Sequence, residues 1–512
     1  MERVARGIAH ETQALFAEIR RRPAGSVLVL AGKGKNAADA LIAARLMCAS
    51  RAACLQRVGI ILATKRQSLG ADASGAIDAL LAGGARVMEW SGERDADTFL
   101  SDGQFVEEED VAVDVVLDGL LGSNFSPPLR SPFSEIIRWA NRRGGQLALL
   151  RVAMDLPSGL GDGTGAHNAP EDIFNADVTV ACGLLKTPLL DERNFGVRGR
   201  LRFADGGFPD TLAGALRAGN AEGIMGKGPL CRARSPSSDK RHFGHLFIIG
   251  GSRTMPGALL MNVRAALRAG VGLLTVFCPE SVHAAFAAAA PEAMWVPWPE
   301  APDGALALEG EFLWRERASR ATALLCGSGM GNSAETLALQ QSIVSNAKCQ
   351  IVLDADALRR ETLDAALRRS PATPLVLLPH AGEFARIAAS NGTLRETCAH
   401  WRSLIALKGA PTRTADAMRE VVVCAGGPAL ARGGSGDLLA GITGALFARK
   451  LHDDPLRVLT TAVAWHGAAA DFVARRHGTE ALSTTDILAG MDTRFLGTES
   501  KVCLINKGAG LR

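Results

Sequence analysis

A chain of 512 residues is too long for one hydrophobic core and calls for roughly two to four domains. Hydrophobic residues at 47% and charged residues at 21% describe a globular protein, and 57 basic against 53 acidic side chains leave a net charge of +4, too mild for a nucleic-acid surface. Aromatic residues at 5% are poor material for stacking bases, and the ten cysteines hold no CxxC pair and no zinc spacing, which suits a reduced, cytoplasmic compartment.

No apolar run reaches the roughly 18–20 residues of a membrane span. The opening segment, MERVARGIAHETQALFAEIRRR, reads as an amphipathic helix of mixed charge, and Glu2, Glu11 and Glu18 set it apart from a leader peptide. SVLVLAG (26–32) reads as a buried strand running into a glycine turn, and NAADALIAARLM (36–47) as the helix after it. Further strands are predicted at RVGIILAT (57–64), at VAVDVVLDGLLG (111–122) with Asp118 near its end, at QLALLRVAMDLPSG (146–159) with Asp155 near its end, and at ADVTVACG (176–183). Alternating strands and helices predict a doubly wound parallel sheet, in which ligands sit beyond the carboxyl ends of strands. Gly32–Asp39, Asp118 and Asp155–Ser158 fall at such ends.

Residues 213–240 lose apolar periodicity to Gly, Pro, Ser and Arg and read as a linker between a first domain, 1–212, and a second, 241–495, with a tail at 496–512. HLFIIGGS (245–252) restarts the strand-turn-helix pattern, followed by GLLTVFC (272–278), ATALLCGSG (321–329), QIVLDADAL (350–358), PLVLLPH (374–380) and LIALKG (404–409). The polar ends of these strands include Gly329, Asp354, Asp356, His380, Glu383, Lys408 and Gly409. Taken singly, His380 is as well read as a structural histidine, Lys408 as a loop lysine and the two aspartates as helix caps.

The segment AGGPALARGGSGDLLAGITGA (425–445) carries most of the chemistry. Its glycine turn (Gly433, Gly434, Ser435, Gly436) opens a helix with an acid, Asp437, at the expected first helical position. Glycines let backbone N–H groups approach an anion, and a helix N-terminus adds about half a positive charge. An acid there is either a cap or a base for a hydroxyl that attacks a bound phosphate.

The strings HFGHLFIIGGSRTMPGALLMNVRAALRAGVGLLTV, CGSGMG, IVLDADAL, LLPHAGEFARI, ALKGAPT and GPALARGGSGDLLAGI resemble, in order, the ribokinase-like ADP-dependent (S)-NAD(P)H-hydrate dehydratase domain of the bifunctional NAD(P)H-hydrate repair enzymes. The resemblance implies a ribokinase-like α/β domain with Asp437 as the base, and Gly434, Ser435 and Gly436 as the phosphate cradle. It further implies that Lys408, Gly409, Ala410, Pro411 and Thr412 hold ADP, that Ala258, Gly329, His380 and Asp437 touch the hydrated cofactor, and that Glu383 is a Mg2+ or water contact. CGSGMG departs slightly from the family's usual GPGLG.

LVLAGKGKNAADALIAARLM, VVLDGLLGSNFSPPLRSP, AMDLPSGLGDGTG and ADVTVACGLLKTPLL resemble the NAD(P)H-hydrate epimerase domain of the same family, a Rossmann-like sheet. The resemblance implies Asn36, Asp118 and Ser158 as K+ ligands, Asp39 and Asp155 as substrate contacts, and Asp118 as a group that also moves protons. Its departures are specific. The family's GNNGGDG reads Gly34-Lys35-Asn36-Ala37-Ala38-Asp39-Ala40, the loop 122–128 lacks the family's Arg, and a helical segment usually precedes the stretch matching MERVARGIA. If the replaced glycines needed positive φ, each alanine would cost about 1 kcal/mol. The rival for this loop is a GxGxxA dinucleotide site, with Lys65 and Arg66 suited to a 2′-phosphate. Substrates are therefore expected to be hydrated NADH and NADPH with ADP, in a cytoplasmic homo-oligomer with no nucleic-acid or membrane partner. The alternatives are a small-molecule kinase, or a first domain serving only as a binding or oligomerisation module.

Overall fold

The computed structural model describes residues 1–20, 22–49, 57–102, 111–123, 125, 127–161, 168–183, 185–204, 221–222, 238–369, 375–388, 392–450, 453–491 and 506–507. They belong to two compact units, Met1–Arg217 with Ala474–Ala481, and Ala218–Val473 with Leu482–Arg512.

Among its described residues the first unit has seven strands: β1 (Ser26–Ala31), β2 (Arg57–Leu62), β3 (Arg86–Glu89), β4 (Val113–Gly119), β5 (Ala148–Met154), β6 (Val178–Cys182) and β7 (Arg200–Ala204). All pair in parallel, in the order β3-β2-β1-β4-β5-β6-β7. A parallel sheet covered on both faces needs continuous apolar strands, and SVLVLA and VDVVLDG are buried throughout. The two edge strands were not anticipated, because RVME has no fully buried residue and RLRFA alternates Arg with apolar side chains. The helix Glu2–Arg20 buries Ala5, Ile8, Leu15 and Phe16, the face its spacing predicts.

Among its described residues the second unit has eleven strands: β8 (Ala221–Glu222), β9 (His245–Ile249), β10 (Leu273–Pro279), β11 (Met294–Trp298), β12 (Ala323–Cys326), β13 (Gln350–Leu353), β14 (Leu375–Leu377), β15 (Ser403–Leu407), β16 (Thr412–Ala415), β17 (Glu420–Val423) and β18 (Asn506–Lys507). Their order is β11-β10-β9-β12-β13-β14-β15-β16-β17-β18-β8. The first seven pair in parallel and the rest are antiparallel. The six predicted strands are all present. The hairpin β16–β17 escaped the sequence reading because its apolar signal is broken by charge, and Asp416 turns it by accepting the backbone N–H groups of Met418 and Arg419. Within the expected linker and tail, Ala221–Glu222 and Asn506–Lys507 pair with each other as sheet strands, whereas most of 213–240 and 496–512 lies outside the described residues.

Both sheets follow one plan. In each the strand order reverses at a central strand, between β1 and β4 and again between β9 and β12, which opens a crevice at the carboxyl ends of those strands.

Candidate functional site

The crevice of the second unit is lined by backbone. Gly251 N–H donates to the Ser328 carbonyl across 2.8 Å, joining the turns after β9 and β12. Gly329 has φ +67°, and a Cβ there would stand 3.3 Å from the Ala258 Cβ and 2.7 Å from the Met255 carbonyl, so Gly329 and Ala258 are brought together as the resemblance implies.

Across from them the helix Ser435–Ala448 begins. Its N-cap is Gly434 in the left-handed region, φ +85°, so the chain enters the helix at Ser435 and Asp437 is the third helical residue rather than the first. The helix is pinned against the helix Pro256–Arg268: a Cβ on Gly441 would lie 2.2 Å from the Asn262 carbonyl. The buried Asn262 side chain donates to the Asp437 carbonyl across 2.7 Å. The N–H groups of the helix's first turn have no intrahelical partner and carry the positive end of the dipole; that of Ser435 donates to the Arg432 carbonyl at 3.3 Å.

Lys408 follows β15 and lies above that turn; a Cβ on Gly436 would come within 3.3 Å of its Nζ. Lys408 Nζ donates to Asp354 Oδ1 at 2.8 Å and stands 3.8 Å from Glu383 Oε2. Burial works against its charge, yet Asp354, Glu383 and Asp437 together hold its pKa above the ordinary lysine value. Burial first, and the charge of Asp354 second, push Asp437 up to about 6, while the Ser328 hydroxyl and Lys408 restrain the rise. Asp356, raised by burial, accepts the Gly331 N–H at 2.8 Å and fixes the loop after β12. Gly409, Ala410, Pro411 and Thr412 form the turn into β16, where Thr412 Oγ1 donates to the Gly409 carbonyl at 3.1 Å.

His380 and Glu383 form a capping box on the helix Ala381–Ile387. His380 Nδ1 accepts the N–H groups of Gly382 and Glu383 at 3.0 and 3.3 Å, and Glu383 Oε2 accepts the His380 N–H at 2.8 Å. Glu383, expected as a Mg2+ or water contact, caps this helix through Oε2 and stands beside Lys408. Among the described residues no three His, Cys, Asp or Glu side chains gather as a metal cage. The sequence reading missed His466, whose buried imidazole has no hydrogen bond to Nε2 and is pushed down to about 4 by burial and by Lys408. It sits in the middle of the helix Pro455–His477, where no motif marked it.

In the first unit the expected residues gather at the β1/β4 crevice. Asp118, wholly buried at the end of β4, accepts Ser158 Oγ–H at 2.6 Å and the N–H groups of Ser158 and Leu120 at 2.8 and 3.2 Å. Burial pushes it up to about 6 against those bonds. Asn36 Nδ2 donates to the carbonyls of Leu121 and Met154 at 3.0 and 2.9 Å. Asn36, Asp118 and Ser158, expected as K+ ligands, are thus brought together, with both Asp118 oxygens accepting protein N–H or O–H groups.

Ala37, Ala38 and Ala40 do not sit in a strained loop. They lie in the helix Lys35–Ala49, are buried, and have no positive φ, so the expected backbone cost does not arise. What the extra methyls do is pack: a Cβ on Gly119 would stand 2.7 Å from the Ala40 Cβ. Asn124 and Ser126 of the departing loop 122–128 lie outside the described residues. Asp155 has φ +67°, accepts the Cys182 N–H at 3.1 Å and forms an ion pair with Lys186, a residue the sequence reading passed over.

Two doubly wound α/β units, each with a polar crevice at its switch point and one with a cation beside a glycine-opened helix, define a two-domain enzyme class built around anionic small molecules. Residues 246–492 match the family described as NAD(P)H-hydrate dehydratase, and residues 1–188 match the YjeF-related protein N-terminus. The chain is 30% identical to a bifunctional NAD(P)H-hydrate repair enzyme of Salinibacter ruber, over 95% of this chain and 90% of that one. It is 32% identical to the enzyme of that description from Escherichia coli, over 90% and 83%. A Bacillus subtilis ADP/ATP-dependent NAD(P)H-hydrate dehydratase structure, co-crystallised with ATP and Mg2+, is similar over 52% of this chain and 94% of its own, with 28% identity and a TM-score of 0.42. The chain belongs to the bifunctional NAD(P)H-hydrate repair enzyme family.

Proposed function

We propose that the second unit dehydrates the S epimer of hydrated NADH and NADPH with ADP as co-substrate, and that the first unit interconverts the R and S epimers. The observation that carries the first claim is the placing of Asp437 at the mouth of the helix Ser435–Ala448, beside Lys408 and Gly436. Hydroxide is a poor leaving group. In this reading Asp437 takes the proton of the hydrate hydroxyl as its oxygen attacks the terminal phosphorus of ADP, and the bond to the bridging oxygen breaks to release AMP. The new phosphate ester then leaves its carbon with its electron pair, the neighbouring ring carbon loses a proton, and the ring double bond returns. Lys408 and the N-terminal backbone of the helix balance the phosphoryl charge, Gly409, Ala410, Pro411 and Thr412 border the nucleotide, and Ala258, Gly329 and His380 border the hydrate.

Mg2+ would neutralise phosphoryl charge at the nucleotide, with Glu383, which stands beside Lys408, as its direct or water-mediated contact, and no step above is routed through it. K+ would be held by Asn36, Asp118 and Ser158, which lie together at the strand ends of the first unit, while Asp39 and Asp155 meet the substrate. The reading extends to a cytoplasmic homo-oligomer with no nucleic-acid or membrane partner; the net charge of +4 is too mild for a nucleic-acid surface, and no helix among the described residues is long and apolar enough to cross a membrane.

The test is recovery of NADH absorbance from mixed R and S hydrates with Mg2+, K+ and either ADP or ATP, against a control without nucleotide. Recovery of the S fraction with ADP supports the dehydratase, and recovery of both fractions faster than spontaneous epimerisation supports the first unit's role. No recovery, with a stable phosphorylated alcohol from a substrate panel, would favour a kinase instead.

A further inference from the structure

Ser328 stands in the turn after β12 with 1% of its surface exposed, and its backbone is clamped to the turn after β9. Its carbonyl accepts the Gly251 N–H at 2.8 Å, and a Cβ on Gly250 would come within 2.8 Å of the same oxygen. The helix Pro256–Arg268 braces both that turn and Asp437. Leu259 packs on Gly251, where a Cβ would stand 3.1 Å from the leucine Cβ, and farther along the same helix Asn262 donates to the Asp437 carbonyl at 2.7 Å. Ser328 and Asp437 are thus held on one frame. The Ser328 hydroxyl is buried and has no full hydrogen bond. The acceptor it faces is the Asp437 carboxylate, whose charged form it favours. Lys408, the cation beside that carboxylate, gives a hydrogen bond to Asp354. A buried donor left without an acceptor is costly, so a serine here calls for a partner, and a carboxylate makes a strong one. The string CGSGMG places this serine where the family's usual GPGLG has proline, which carries no donor.

Resting on the dehydratase reading of the second unit, we propose that Ser328 is a positioning residue: its hydroxyl donates to one oxygen of the Asp437 carboxylate and thereby turns the other oxygen toward the hydrate hydroxyl. Asp437 is the third residue of its helix, where a carboxylate can also bend back to the free N–H groups of its own first turn. A carboxylate so occupied is a poor base. A donor reaching it from the turn after β12 competes with that capping conformation. The proton still passes from the hydrate hydroxyl to Asp437, and Ser328 neither gains nor loses one. The charged groups around Asp437 are Asp354 and Asp356, which oppose its ionisation, and Lys408, which favours it. A hydrogen bond is strongest to the charged carboxylate, so Ser328 acts on the side of Lys408.

The experiment uses the full chain with the purified S epimer of NADH hydrate, ADP and Mg2+, and follows NADH absorbance over a range of pH. S328A removes one buried oxygen and keeps Cβ, so its thermal melt is expected to match wild type. Its kcat is expected to fall about tenfold, with KM for hydrate and for ADP within about twofold, and its acidic limb to move upward by about half a pH unit. S328G, a second variant without the donor, is expected to match S328A. S328T keeps a hydroxyl and is expected to hold the limb in place and recover most of kcat. A serine that only packed the turn would change the rate in S328A without moving the limb. If wild-type protein fails to dehydrate the hydrate, the dehydratase reading falls and this role with it. If wild-type protein is active but S328A keeps more than half of kcat, leaves the limb unmoved or slows turnover only by raising KM, the role of Ser328 alone is overturned.

Discussion

Lys408 Nζ donates to Asp354 Oδ1 across 2.8 Å, with 21% and 2% of the two side chains exposed. Removing one partner of a buried pair strands the other, at a cost of about 3–5 kcal/mol. K408M should therefore lower stability by about 3 kcal/mol and abolish dehydration, and K408M/D354N should recover most of the stability but none of the turnover. Denaturant melts and NADH recovery on the same preparations decide it; full stability of K408M would mean that the pair is not coupled.

The raised Asp437 gives the dehydratase a pH signature. A base must be ionised, so kcat/KM should fall below pH about 6 and be about tenfold lower at pH 5 than on the plateau. The stability linkage has the opposite sign. The folded-state pKa lies above the unfolded value of 3.8, so protonation of Asp437 favours the fold and this contribution fades as pH rises from about 4 to about 6. D437N should remove the limb, cost at least about 100-fold in turnover and leave ADP binding within a few-fold, because the cradle is largely backbone. Near-full turnover in D437N would reassign the base.

Gly436 separates stability from binding. It is helical, so alanine there should leave the melt unchanged or raise stability by up to about 1 kcal/mol. The new Cβ would stand 3.3 Å from Lys408 Nζ, in the space the phosphate needs. G436A should accordingly weaken ADP binding about tenfold, equivalent to about 1.4 kcal/mol, as read by titration. A destabilised G436A with normal ADP affinity would contradict the cradle.

The double substitution A37G/A38G tests the first unit's departures. Since both residues are helical and buried, glycine should cost about 1 kcal/mol at each and should not raise epimerisation. A gain in rate measured on the R to S ratio would show that the methyls obstruct substrate.

The strand ends were legible in the sequence because central parallel strands must be apolar from end to end, so the first polar residue marks where each stops. Asp118, Asp155, Asp354 and Lys408 were found in that way. Edge strands carry no such signal, which is why β3, β7 and β11 went unseen. Asp437 was placed two positions early because a run of glycines does not reveal which one adopts the left-handed turn, and that choice fell to Gly434. Lys186 was invisible for a different reason. Its partner Asp155 lies 31 residues away, and a non-local ion pair leaves no periodicity. The alanines at 37 and 38 misled through the family's glycines, whose conformational freedom the helix Lys35–Ala49 does not need.

The capping box at His380 also fixes a tautomer. Nδ1 accepts two backbone N–H groups and so carries no proton of its own, which leaves the hydrogen of a neutral ring on Nε2. Nε2 stands 3.4 Å from Glu383 Oε1, so in the neutral ring the exposed edge of the imidazole is a donor shared between that carboxylate and an arriving ligand, and not an acceptor. A ligand arriving there is read by its oxygens, such as those of a carboxamide or a phosphate, and one that presents an N–H in that place finds no counterpart. The same two hydrogen bonds that start a seven-residue helix therefore impose a polarity on whatever binds beside it.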